Sequence, residues 1–134
     1  MVEAGKLYKI VAISGSLREA STNTAALRYV AEIAPKDRIA SVEILNYKDV
    51  PLYDGDIQAK GIPDSVIAIG AKIAEADGLY IASPEYNYSI SAALKNIIDW
   101  VTRISPNPLE NKPIAILSAA GGPGGGYRSQ LALR

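Results

Sequence analysis

Hydrophobic and polar positions along this chain follow two alternating patterns. Short apolar runs of five to seven residues are typical of buried strands, and they fall at 7–13, 41–45, 78–83 and 113–119. After the first run, Ala26, Val30 and Ile33 recur at helical spacing, and Pro35 is predicted to end that helix. The order therefore begins strand, helix, strand.

The same alternation continues towards the end of the chain. Residues 46–63 contain several prolines and glycines and are predicted to form a long loop. Asp64 and Ser65 are predicted to cap the second helix, which carries Val66, Ile69 and Ile73 on one face. Further helices are predicted over 90–101 and in the segment "YRSQLALR".

Strands that alternate with helices predict βαβ units and an α/β fold with a doubly wound parallel sheet. At 134 residues, the chain is expected to form a single domain over residues 1–134. In such sheets, ligands bind beyond the carboxyl ends of the strands. Three unusual stretches follow three of the strands there: "SGSLREASTN", "PEYNYS" and "AAGGPGGGYR".

Charge and hydropathy narrow the class of protein. Fourteen basic residues balance fourteen acidic ones, which disfavours nucleic acid or an acidic membrane surface as a partner. No apolar run is long enough to span a membrane, and the polar start "MVEAGKLYKI" does not resemble a secretory signal. We therefore expect a cytoplasmic protein without a membrane partner.

The chain contains no cysteine and no histidine. Thiol chemistry, disulfides and Ser–His hydrolase triads are thereby excluded, and we expect no metal site. If the protein is an enzyme, a bound cofactor is expected to carry the chemistry, with no catalytic side chain.

The first unusual stretch combines small donors with one guanidinium. Ser16, Ser21, Thr22 and Asn23 precede a helix, and Arg18 lies among them. Hydroxyls, backbone N–H groups and the positive end of a helix dipole suit a terminal phosphate monoester. A capped helix start beside an exposed arginine is the alternative interpretation.

The second and third stretches suit a flat ligand. Tyr86 and Tyr88 could line an aromatic ring, with the backbone N–H groups of Glu85 to Asn87 facing its edge. The glycines of "GGPGGG" would allow a close approach of the backbone. Packing of the tyrosines on neighbouring helices and a flexible glycine loop are the corresponding alternatives.

Together, "GSLREASTN", "PEYNYSISAALKNIIDWVTR" and "KPIAILSAAGGPGGGYRSQLALR" resemble the NADPH-dependent FMN reductase family, above all its quinone and chromate reductase branch. The resemblance implies a flavodoxin-like fold and non-covalent FMN. It assigns the phosphate to Ser16, Arg18, Ser21, Thr22 and Asn23. It places Pro84, Glu85, Tyr86, Asn87 and Tyr88 along the isoalloxazine ring, and Ser118, Ala120, Gly121 and Gly122 beside it.

The resemblance also implies an activity and an assembly. An enzyme of this family would transfer hydride from NADPH or NADH to FMN and pass electrons to a quinone-like acceptor. A flavin-binding redox sensor with little turnover and an inactive truncated fragment are the alternatives. The family forms homodimers or homotetramers, which would bring Tyr88, Trp100 and Arg128 near subunit contacts.

Length is the largest departure from the family pattern, because family members carry a further strand and helix after "LR". The fourth predicted strand, "PIAILSA", would then be an apolar edge. We expect the sequence to be part of a longer protein. The alternative is that another subunit or a swapped element covers this strand.

Overall fold

A computed structural model describes residues 5–134 of the chain. Strands and helices alternate through this range. Their bounds are β1 Tyr8–Ser14, α1 Thr22–Ile33, β2 Ile39–Ile44, α2 Gly55–Gln58, α3 Asp64–Glu75, β3 Gly78–Ala82, α4 Ala92–Val101, β4 Ile114–Leu117 and α5 Tyr127–Leu133.

The four strands form one parallel sheet in the order β2-β1-β3-β4. Ile13 pairs with Ile81, which pairs in turn with Ile116, so the strands end at a common edge. This arrangement confirms the predicted doubly wound parallel sheet and brings the loops after β1, β3 and β4 to one side of the molecule. Within residues 5–134, β4 has no strand partner on its outer side.

Successive side chains of β1 point to opposite faces of the sheet. Val11 and Ile13 belong to the larger core, which they share with residues of α3 and α4 such as Ile73 and Ile97. Ala12 faces the opposite side and joins a smaller cluster with Leu27 of α1 and Ala82 of β3. Helices therefore cover both faces and hold the central strands rigidly beneath the loops.

Helix starts differ from the sequence predictions in three places. The short helix α2 interrupts the predicted long loop, and the Asp54 carboxylate caps it by accepting from the Asp56 N–H at 2.8 Å. The predicted cap of α3 is wrong: Pro63 is its N-cap and makes no side-chain bond. Ser91 caps α4 by accepting from the Leu94 N–H at 3.1 Å, so that helix begins at Ala92 instead of residue 90.

Trp100 holds the loop before α2 against α4. Its indole N–H donates to the Pro51 carbonyl at 2.8 Å, and the Asn96 side chain donates to the same oxygen at 2.9 Å. The Tyr53 ring meets the indole edge-on, with centroids 5.0 Å apart. Trp100 is 0% exposed within its own chain, so its side chain packs in the core. That it lies near a subunit contact stays a prediction.

A search of residues 5–134 for membrane-spanning segments finds no helix with the length and apolar character needed to cross a bilayer.

Candidate functional site

The loop after β1 presents unpaired donors at the start of α1. Ser21 caps the helix, its hydroxyl oxygen accepting from the Thr24 N–H at 3.1 Å. The N–H groups of Thr22 and Asn23 belong to the first turn, which has no intrahelical acceptors, and they have no other partner within the described chain. The Arg18 side chain and the Thr22 hydroxyl are exposed beside them. This set of donors is suited to a phosphate.

Ser14 and Ser16 lie below these donors and are buried. The Ser16 N–H donates to Ser14 Oγ at 3.3 Å, and the Thr24 hydroxyl donates to the same atom at 2.8 Å. The Tyr47 hydroxyl donates to the Ser14 carbonyl at 2.6 Å. Burial raises the pKa of Tyr47, so this hydroxyl stays protonated and remains a donor. These hydrogen bonds fix the conformation of the buried Ser14–Ser16 segment of the loop.

Gly15 brings the first and second loops into contact. Its carbonyl accepts a hydrogen bond from the Ser91 hydroxyl at the start of α4. A Cβ at this position would lie only 2.9 Å from Pro84 Cδ. Glycine is therefore required by the close approach, and Pro84 is buried against it. Pro84 thus supports the second loop from below instead of presenting its ring to a ligand.

Asn23 links the first loop to the third. Its side-chain nitrogen donates to the Ala119 carbonyl at 3.0 Å, while its side-chain oxygen accepts from the Ala119 N–H at 2.9 Å. The residue is 2% exposed, and both ends of its amide are occupied. The Asn23 side chain thus joins the two loops, and its backbone N–H has no partner in the described chain. The assignment of Asn23 to the phosphate stays a prediction that rests on this N–H.

The second loop turns through two left-handed residues, Asn87 at φ 49° and Tyr88 at φ 67°. Tyr86 and Ser89 exchange backbone hydrogen bonds of 3.0 Å in both directions, which closes the turn. The Tyr86 N–H is thus used within the loop, leaving the N–H groups of Glu85 and Asn87 without partners in the described chain. Tyr86 and Tyr88 are 52% and 74% exposed, so both rings remain largely accessible to a ligand.

The Glu85 side chain joins this second loop to α5, a contact that sequence analysis missed. Its carboxylate accepts from the Arg128 backbone N–H at 3.0 Å and from the Arg128 guanidinium at 3.1 Å. The hydrogen bond to Glu85 raises the pKa of Arg128. The guanidinium lies between two aromatic rings, 4.4 Å from the Tyr88 centroid and 4.6 Å from that of Tyr127. Glu85 therefore caps α5, whose own N-cap, Gly126, offers no side chain.

The third loop is open where the sequence predicts a flat ligand. Ala120, Gly121 and Gly122 are exposed, and a Cβ added at either glycine would meet no atom within 4 Å. Ser118 differs, because its hydroxyl donates to the Gly125 carbonyl at 2.5 Å and accepts from the Gln130 side chain at 2.8 Å. Its side chain braces the loop and is not free for a ligand.

The structure thus brings all three predicted loops together and divides their residues into two groups. One group exposes side chains or unpaired N–H groups: Arg18, Thr22, Glu85, Tyr86, Asn87, Tyr88, Ala120, Gly121 and Gly122. The other group has buried or occupied side chains: Ser16, Ser21, Asn23, Pro84 and Ser118.

Comparison with known proteins agrees with this geometry. The family described as NADPH-dependent FMN reductase matches residues 8–134. An NAD(P)H-dependent FMN reductase of Pseudomonas aeruginosa is 43% identical over 126 residues, covering 94% of this chain and 67% of that protein. A quinone reductase of Escherichia coli is 42% identical over 130 residues, with the same two coverages of 94% and 67%.

A solved structure extends the likeness to three dimensions. A flavoenzyme NAD(P)H:(acceptor) oxidoreductase from Paracoccus denitrificans superposes with a TM-score of 0.85 at 30% identity. The match covers 95% of this chain and 69% of that one. The chain therefore spans about two thirds of the length of these relatives.

The link between Asn23 and Ala119 predicts a pH-dependent defect in Asn23→Asp. A carboxylate would place an acceptor against the Ala119 carbonyl, so the free energy of unfolding at pH 7 should fall by about 1–3 kcal/mol. This repulsion raises the folded-state pKa of the new carboxyl above the ordinary Asp pKa, so the deficit relative to wild type should shrink as pH falls through that raised pKa and be smallest once pH lies below the ordinary Asp pKa. Urea unfolding of both proteins at several pH values measures this deficit in the free energy of unfolding. Asn46→Asp, at an exposed position, is the matched control, and equal losses in both variants would contradict the prediction.

The Glu85 cap predicts a local change at α5. In Glu85→Ala, the Arg128 amide loses its acceptor, and its hydrogen exchange should accelerate severalfold together with that of the first turn of α5. Glu110→Ala removes an exposed carboxylate from the loop before β4 and should leave α5 unchanged. Unaltered exchange at Arg128 in Glu85→Ala would show that the cap contributes nothing.

Proposed function

Because the chain belongs to the NADPH-dependent FMN reductase family, we propose that it binds FMN non-covalently and passes electrons from NADPH or NADH to a quinone-like acceptor. Relatives of the chain named NAD(P)H-dependent FMN reductase and quinone reductase support this activity. Bound FMN would supply the redox chemistry, accepting hydride from the nicotinamide and then giving two electrons to the acceptor.

The phosphate of FMN fits the donors at the start of α1. The N–H groups of Thr22 and Asn23 lie in the first helical turn without partners in residues 5–134, and the Thr22 hydroxyl is exposed beside them. The positive end of the α1 dipole favours an anion there. Arg18 would add a charge-assisted hydrogen bond. This cluster of unpaired donors is the observation that carries the proposal.

The ring system of FMN fits between the second and third loops. The Glu85 and Asn87 N–H groups are free to donate to the polar edge of a ring, and Gly121 and Gly122 leave open space beside it. Donors placed there would stabilise negative charge on the reduced ring. Their positions depend on Glu85, whose side chain holds the loop through Arg128.

Three further features belong to the proposal. A single domain comprises residues 1–134 of the sequence. The protein assembles as a homodimer or homotetramer, with exposed Tyr88 and partly exposed Arg128 as candidate contact residues. It works in the cytoplasm, as its redox cofactors and the sequence pattern suggest.

Binding of FMN and riboflavin to the purified protein tests the phosphate site. Arg18→Ala should weaken FMN binding by about 1.5–3 kcal/mol, or roughly 10- to 150-fold in Kd. It should leave riboflavin binding almost unaffected. Fluorescence titration measures both ligands. Arg38→Ala is the control, because Arg38 is exposed just before β2, at the opposite edge of the sheet. Equal affinity of the wild-type protein for FMN and riboflavin would contradict the assignment.

Turnover separates a reductase from a flavin-binding sensor. The FMN-loaded protein should oxidise NADPH or NADH continuously when a quinone is present, at a rate proportional to enzyme concentration. Stopped-flow absorbance and a steady-state assay on the same sample measure reduction and turnover. Reduction of the bound flavin without sustained turnover would favour the sensor, and absence of flavin binding would exclude both.

A further inference from the structure

Tyr47 lies outside the three loops of the candidate site, in the segment that follows β2. It is the only buried one among the eight tyrosines of the chain, all of which lie within residues 5–134, and it belongs to the larger core. Its backbone is fixed as well, because the Tyr47 carbonyl accepts from the Val50 N–H at 3.2 Å. The hydroxyl of this residue is therefore presented from a rigid position.

The Tyr47 hydroxyl continues the pairing of β1 with β2 beyond the last backbone hydrogen bond between them. The register of the two strands ends at Ala12 opposite Ile44, and the Leu45 N–H donates to the Ala12 carbonyl at 2.8 Å. In a parallel pair, the backbone groups of alternate residues face the same neighbouring strand, so the next β1 carbonyl on this side is that of Ser14. It accepts from the Tyr47 hydroxyl at 2.6 Å instead of from a backbone N–H.

The peptide group between Ser14 and Gly15 is thereby held at both ends. Its carbonyl accepts from Tyr47 on the β2 side, and its N–H donates to the Ala82 carbonyl of β3 at 2.7 Å. Glycine places few limits on the rotation of an adjacent peptide group, so these two hydrogen bonds determine its orientation. Removal of the Tyr47 hydroxyl would leave the carbonyl of a residue that is only 5% exposed without its partner.

Ser14 connects Tyr47 to the start of α1. The Ser14 Oγ accepts from the Thr24 hydroxyl at 2.8 Å and from the Ser16 N–H at 3.3 Å. Thr24 lies in the first turn of α1, where its own N–H donates to the Ser21 cap. A displacement of Ser14 would therefore change the position of the first loop relative to the helix start, and these two parts offer their donors to the phosphate together.

We propose that Tyr47 is a positioning residue for FMN, which acts through Ser14 and makes the first loop selective for a phosphorylated flavin. The inference rests on the proposed function, which has the FMN phosphate at the start of α1. A residue that only filled the core would act through the free energy of unfolding and would weaken FMN and riboflavin binding alike. A residue that positions the first loop acts on the phosphate end of the ligand, since the other two loops would hold the ring of either flavin.

Titration of the purified protein with FMN and with riboflavin, followed by flavin fluorescence, tests this role. In Tyr47→Phe, the Kd for FMN should rise about three- to tenfold, as expected for the loss of one hydrogen bond, and the Kd for riboflavin should change by less than about twofold. Tyr53→Phe is the matched control, because the Tyr53 hydroxyl donates to the Gln58 side chain at 2.7 Å, outside the three loops. It should leave both affinities unchanged.

A second variant tests whether the effect passes through Ser14. Thr24→Val removes the hydroxyl that donates to the Ser14 Oγ and should also weaken FMN binding selectively. Because both changes act through Ser14, the double variant should lose less FMN affinity than the product of the two single losses.

Equal losses of FMN and riboflavin affinity in Tyr47→Phe would overturn the inference. So would an unchanged affinity for FMN, or independent losses in the double variant. These outcomes leave the proposed function in place as long as the wild-type protein binds FMN more tightly than riboflavin. Equal affinity of the wild-type protein for the two flavins would contradict the phosphate site itself, and the inference with it.

Discussion

The side-chain amide of Asn23 fixes the distance between the two outer loops of the site. Its two hydrogen bonds to Ala119 span the end of β3, which lies between β1 and β4 in the sheet. A parallel sheet brings loops to a common edge but does not set their separation. A buried amide satisfied at both ends does so, because breaking either bond leaves a polar group unpaired. The separation of the first and third loops, and of the groups that they offer to a ligand, depends on this link.

Two further contacts hold the loops in place. They leave particular backbone N–H donors unpaired. Ser91 ties α4 to the Gly15 carbonyl, and Glu85 ties the second loop to α5. No buried side-chain nitrogen or oxygen among the described residues lacks a partner. The unpaired backbone donors at the first turn of α1 and in the second loop lie at the carboxyl edge of the sheet, where an anionic ligand with a flat ring would use them. The structure separates residues that build the site from residues that offer groups to a ligand.

Sequence periodicity was sufficient to predict the sheet and four of the five described helices, because apolar runs and helical stripes reflect burial directly. It predicted which loops would meet, since the carboxyl ends of parallel strands share an edge. It could not assign the side chains of Asn23 and Glu85, whose partners lie 96 and 43 residues away in the chain. In the sequence, a polar residue of a ligand-binding motif looks the same whether its side chain contacts the ligand or another loop. Only the three-dimensional contact distinguishes the two cases.

We propose that the three loops act as one FMN site with its phosphate end at α1. Hydrogen exchange of the protein with FMN, with riboflavin and without ligand tests whether they do. FMN should slow exchange in 15–24, 84–88 and 118–122 together, whereas riboflavin should protect the last two segments and leave the Thr22 and Asn23 amides unprotected. Identical footprints for the two ligands, or protection away from the carboxyl edge of the sheet, would contradict the account.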